Sequence, residues 1–156
     1  CVRFSPRLSD HVYADLRRLN PHIAGEDAGI IIFGYDDRRR AIFDGNRLMD
    51  HAADNRRLTM GEALVEAEAA SVRLDGYGRL HRRETGAADW QQIWHCEPDE
   101  RVGGGCVDAL CQHAVDAWRE GRTPENDATS YLEILAIEEQ IYESAATGSR
   151  ISRERD

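Results

Sequence analysis

The apolar residues of this chain change their period once, near residue 104, and that change limits the architectures open to it. Before it, apolar side chains recur at every second position. Val12, Ala14 and Leu16 alternate with Tyr13, Asp15 and Arg17 in residues 11–19, the spacing of a strand with one buried face. Residues 28–35 contain Ile30, Ile31, Ile32 and Phe33, a β-branched and aromatic run suited to a central strand. Asp36, Asp37 and Arg38 supply a turn, and residues 40–44 resume with Ile42 and Phe43, so a hairpin is expected. Residues 59–68 are open between helix, which their Ala and Glu favour, and strand, which their alternation and strand-rich surroundings favour more; 71–75 reads as a strand returning at 79–84 through Gly76, Tyr77 and Gly78. Residues 86–100, with Trp90 and Trp94, read as an irregular connection.

Beyond Gly103, Gly104 and Gly105 the period becomes helical. Val107, Leu110, Cys111, Ala114, Val115 and Trp118 form one stripe, which Gly121 stops. The segment 123–127 brings Pro124 and then Asp127 as turn and N-cap for a second helix, which carries Tyr131, Ile134, Leu135, Ile141 and Tyr142 and ends at Gly148. A short strand is expected at 150–152 and a frayed tail at 152–156. Strands first and helices last predict an α+β fold: one open, mostly antiparallel sheet with the two C-terminal helices packed on one face. Nothing in the chain covers the other face, which predicts self-association into a homodimer or tetramer. The 156 residues suit a single domain.

Composition narrows the function. No stretch reaches the ~20 apolar residues of a membrane span, so a cytoplasmic protein is expected. The net charge of −9 argues against nucleic acid or anionic lipid as partners. All 20 basic residues are Arg, so no lysine general base, Schiff base or P-loop lysine is available in this chain. The cysteines at 1, 96, 106 and 111 form no CxxC pair; reduced thiols are expected, and no metal site is drawn from His95, Cys96, Cys106 and His113.

The densest polar cluster is the loop at 46–59. Asn46, Arg47, Asp50, His51, Asn55 and Arg56 are its candidate substrate-binding residues, beside Asp54, Arg57 and Thr59. Arginine forks and Asn amides orient hydroxyls and carboxylates of a small polar substrate, and a histidine titrates near neutrality. The competing reading is a solvated loop whose charges pair with one another. His113, on the helical stripe's edge, reads as a packed histidine. Trp90 and Trp94 either cover a sheet edge or stack on a sugar. His22 and His81 show no partner pattern, and Asp10 beside His11 is read as coincidental.

The run GGGCVDALCQHAVDAWREGRTPENDATSYLEILAIEEQIYESAATGSRI at 103–151 resembles the closing segment of the Gfo/Idh/MocA oxidoreductases. It has a glycine-led helix closing on REGR, a P-x-N turn, and a last helix closing on SAATG. Residues 24–83 resemble the sheet region of the same family, so the likeness extends over roughly 12–151. The resemblance implies the C-terminal half of an NAD(P)-dependent dehydrogenase whose Rossmann half lies upstream. That half's glycine-rich loop and Glu-Lys-Pro motif are not in this sequence, nor is the family's helix-borne Asp and His pair. No catalytic residue, cofactor site or metal site is therefore expected within these residues; NAD or NADP is expected for the full-length parent. Gly103 to Gly105 follow no strand and do not substitute for the dinucleotide loop. The implied partners are a Rossmann domain, a second copy of the chain and a small polar substrate. The alternative is a stand-alone, non-enzymatic oligomerisation or small-ligand module.

Overall fold

The structure, a computed structural model, describes residues 9–35, 38–48, 50–56, 58–59, 61–96, 104–125 and 127–153. The expected turn at Asp36 and Asp37 and residues 97–100 of the 86–100 connection lie outside the described residues. The chain divides into two compact units, the first formed by 1–49 with 125–156 and the second by 50–124.

In the first unit, β1 (His11–Arg17), β2 (Ala28–Gly34), β3 (Arg40–Asn46) and β8 (Ile151–Ser152) form an antiparallel sheet in the order β3-β2-β1-β8. Its register places Val12 opposite Phe33 and Phe33 opposite Ala41, while Ala14 lies opposite Ile31 and Ile31 opposite Phe43. Helix α2 (Ala128–Thr147) packs on β1, whose Val12 and Ala14 are buried. Directly paired residues share a face, so the alternate row of Tyr13, Ile32 and Ile42 points the other way. Tyr13 is 39% and Ile42 59% exposed.

The ends of α2 follow the sequence signals. Asp127 caps it by accepting from the Ser130 amide at 2.6 Å. Gly148 closes it in the left-handed region at φ 64°, where a side chain would be strained. Its amide donates to the Ser144 carbonyl at 2.8 Å. Tyr142 donates its hydroxyl to Glu26 Oε1 at 2.7 Å, tying α2 to the segment before β2.

The second unit is a four-strand meander, β4 (Ala63–Glu66), β5 (Ala70–Leu74), β6 (Arg79–Glu84) and β7 (Gln91–His95), followed by α1 (Gly104–Arg119). The α+β class with open antiparallel sheets is as the sequence indicated. Hydrogen bonding nevertheless divides the strands into two four-stranded sheets where one broad sheet was expected. Alternation reports which residues share a face but not which strands share a ladder. A second difference is β7, which occupies part of the stretch read as irregular. All five of its residues are exposed, and a register shift between Leu80 and His81 interrupts its pairing. An edge strand with no buried face shows no alternation to read.

The Arg73 and Arg83 guanidinium groups lie 5.1 Å and 5.3 Å from the Trp90 ring centre, within cation–π range. Helix α1 keeps its apolar stripe exposed, with Trp118 at 82%, while Ala117 is buried. No helix among the described residues is long and apolar enough to cross a membrane.

Candidate functional site

The best-built polar centre among the described residues lies at the β5–β6 hairpin. An Asp at the start of a tight turn can accept from amides further along it, and Asp75 does so twice: Oδ1 accepts from the Tyr77 amide at 3.0 Å and the Arg79 amide at 3.1 Å. Arg79 and His81 are two apart on β6 and so share a face. Both reach the other carboxylate oxygen, Arg79 Nε donating at 2.8 Å and His81 Nε2 lying at 3.0 Å. The Asp75 side chain is 12% exposed and that of His81 15%. Burial pushes the Asp75 carboxyl up, but the Arg79 amide, His81 and the Arg79 guanidinium together outweigh it and hold the pKa at about 2. Arg79 also stacks on Tyr77, 4.6 Å from the ring centre.

The loop segment bearing His51 rests on this turn. A β-carbon placed on Gly76 would lie 2.3 Å from the Ala52 carbonyl oxygen and 2.5 Å from His51 Cδ2. Glycine at 76 is therefore required by close approach. Gly76→Ala is expected to push residues 51–52 off the hairpin and to cost about 1–3 kcal/mol; urea denaturation measures the loss, and an unchanged midpoint would contradict the contact. His51 Nε2 is buried and has no hydrogen-bond partner among the described residues, and the same holds for Thr59 Oγ1.

The six candidate residues divide between the units. Asn46 and Arg47 belong to the first: Asn46 Oδ1 accepts from the Leu48 amide at 2.9 Å, and Arg47 Nη1 lies 3.6 Å from Asp27 Oδ2. Asp50, His51, Asn55 and Arg56 belong to the second. There Asp50 and Arg56 form an exposed ion pair, 2.7 Å from Nε to Oδ1, and the Asn55 carbonyl accepts from the Leu58 amide at 3.0 Å. The ion pair is the loop satisfying itself, as the competing reading held. His51 is the member placed against the Asp75 turn. Arg57 lies outside the described residues. The sequence reading missed Asp75, Arg79 and His81. The Asp-Gly step at the turn was the available signal for Asp75, whereas His81 has no partner until the hairpin closes.

Chemically, Asp75 is a carboxylate ionised at neutral pH and shared by a guanidinium and an imidazole. A carboxylate behind an imidazole orients its ring. No group of three or more His, Cys, Asp or Glu able to hold a metal occurs among the described residues, and Cys96, Cys106 and Cys111 form no disulfide. Every strand pairing among those residues is antiparallel. A doubly wound dinucleotide crevice is built on parallel strands joined through a helix, and none of the pairings among the described residues is of that kind.

No protein-family model matches the chain. It is 26% identical over 142 residues to D-apiose dehydrogenase from Paraburkholderia graminis, covering 86% of this chain and 36% of that protein. In fold it matches an oxidoreductase from Agrobacterium radiobacter, solved with NAD+, L-tartaric acid and magnesium. That likeness has a TM-score of 0.78 at 22% identity and covers 96% of this chain and 45% of the other. Its relatives are Gfo/Idh/MocA-type oxidoreductases. A further fold match is the WlbA dehydrogenase from Bordetella pertussis, solved with NADH and UDP-GlcNAcA, with a TM-score of 0.62 at 21% identity over 94% of this chain and 39% of the other. The chain thus spans less than half the length of these three proteins.

Proposed function

We propose that these residues form the substrate-side and oligomerisation part of a cytoplasmic NAD(P)-dependent dehydrogenase acting on a sugar, polyol or related small polar compound. A Rossmann domain outside the 156 residues binds the cofactor and carries the hydride chemistry, and the chain alone is inactive. The observation that carries this reading is the fold likeness to an NAD+-bound oxidoreductase across 96% of this chain but 45% of that one. The likeness to D-apiose dehydrogenase favours a sugar as substrate. Residues 1–156 act as one functional domain built from the two units.

On this reading the loop at 46–56 faces substrate. His51 is its principal contact, because its Nε2 has no hydrogen-bond partner among the described residues, and Asn46, Arg47, Asp50, Asn55 and Arg56 are further candidate contacts. Calorimetric titration of the 156-residue chain with NAD+ and NADP+ is expected to give no binding tighter than millimolar, whereas the full-length protein reduces dinucleotide in the presence of an aldose or polyol. His51→Ala in the full-length protein is expected to lower kcat/KM about tenfold or more. Tight dinucleotide binding by the chain alone would overturn the proposal.

A further inference from the structure

The meander sheet of the second unit gathers basic side chains on one face. The register places Leu64 opposite Arg73 and Arg73 opposite His81; in the next row Glu66 lies opposite Ser71 and Ser71 opposite Arg83. Paired residues share a face, and Arg73 and Arg83 are diagonal neighbours on it, a spacing of roughly 7–8 Å between backbones. Like charges so placed repel unless a counter-charge lies between them. Asp75 does not supply one, because its carboxylate is taken by Arg79 at 2.8 Å and His81 at 3.0 Å. Glu66, in the same row as Arg83, and Asp89, next to Trp90, pair with neither arginine among the described residues. In a chain of net charge −9, two guanidinium groups are thus left without a carboxylate.

Both groups are nonetheless held in place. Each lies against the Trp90 ring, Arg73 at 5.1 Å and Arg83 at 5.3 Å from its centre. Arg83 Nη1 also donates to the Ala87 carbonyl at 3.3 Å, while its Nε is buried with no acceptor among the described residues. Arg73 is exposed, and its guanidinium has no acceptor among those residues. An arginine offers five N–H donors in a planar fork, and a fork fixed before its ligand arrives loses little freedom when the ligand binds. Mutual repulsion, spare donors and a fixed geometry are all answered by one oxyanion set between the two forks. We propose that Arg73 and Arg83 hold the carboxylate or phosphate group of a small molecule, with Trp90 as the residue that positions them. The site is formed within the second unit and does not depend on the dehydrogenase reading.

The test follows Trp90 emission in the 156-residue chain carrying Trp94→Phe and Trp118→Phe, which remove the other two tryptophans at exposed positions. Inorganic phosphate and acetate are titrated separately at constant ionic strength, balanced with sodium chloride. At least one is expected to change the emission saturably, with a Kd on the order of 1 mM. Tighter phosphate assigns a phosphate group to the ligand, and tighter acetate a carboxylate. Arg73→Gln, at its exposed position, is expected to weaken that binding about tenfold. Arg82 lies on the opposite face of β6 and pairs with Glu84 at 2.7 Å; Arg82→Gln removes the same charge and is expected to leave binding within about twofold. By calorimetry with all three tryptophans otherwise in place, Trp90→Ala is expected to weaken binding about tenfold, and Trp90→Phe, which keeps a ring for both guanidiniums, about threefold or less. An emission that neither anion saturates, or equal losses in Arg73→Gln and Arg82→Gln, would overturn the site. Unchanged binding in Trp90→Ala would overturn the positioning role.

Discussion

Asp75→Ala is expected to destabilise the second unit by about 3 kcal/mol, one of the two largest single-residue effects in the chain. The carboxylate accepts from two amides of its own turn and from the side chains of Arg79 and His81. Arg79 is 42% exposed and can recover water; His81, at 15%, largely cannot. Much of the cost is therefore the penalty of leaving buried donors without an acceptor. Asp75→Asn keeps an acceptor but no charge and is expected to cost less.

The same residue fixes an acid limb of stability. Its pKa falls from 3.8 in the unfolded chain to about 2 in the fold, so the ionised form is bound more tightly by the native state. That contribution, about 2 kcal/mol, is present in full at pH values well above 3.8 and is lost as pH falls through about 2. Urea titrations at about pH 7 and about pH 2 are expected to show a smaller acid loss in Asp75→Ala than in the parent. Equal losses in the two proteins would mean that other carboxylates carry the acid limb.

Ser144→Ala is expected to cost about 2–3 kcal/mol in the first unit. Strand β8 pairs with β1 only at His11 and Val12, so the ladder on that side of β1 stops before Ala14. Ser144 of α2 takes over: it is fully buried, its Oγ accepts from the Ala14 amide at 2.9 Å, and its hydroxyl donates to the Ser149 carbonyl at 2.6 Å. Alanine leaves a strand amide and a carbonyl unpaired where water has no access. Hydrogen exchange offers the specific readout, because the Ala14 amide is expected to exchange faster out of proportion to its neighbours. A variant that loses stability while Ala14 stays as protected as Val12 would place the cost elsewhere.

These two residues also mark where the sequence stops being readable. Period-two alternation located β1, a β-branched and aromatic run located β2, a turn with resumed apolar residues located β3, and Asp127 and Gly148 located the ends of α2, because each signal is local. Ser144 reads in sequence as one small residue near the end of a helix. Its importance comes from β1, 130 positions away, and no window of sequence contains both partners. Strand β7 was missed because Gln91, Gln92 and His95 leave no apolar face to recognise. Polar density marked the loop as a candidate and His51 rests against the hairpin, but the Asp50–Arg56 pair shows that density also arises from charges satisfying one another. Asp75 and His81 become neighbours only through hairpin closure, and that geometry is not written in residue types.

The arrangement of the units along the chain sets an order of assembly. The second is made from one continuous stretch, 50–124, whereas the first needs 125–156 to return to its opening strands. On a ribosome the meander can close as soon as it emerges, while β1, β2 and β3 wait for the last thirty residues before α2 can dock and β8 can complete the ladder. Until then the side of β1 bearing Val12 and Ala14 is bare, and nascent chains are most exposed to misassociation during that interval. A chain interrupted before residue 125 therefore carries the whole of the second unit and only part of the first.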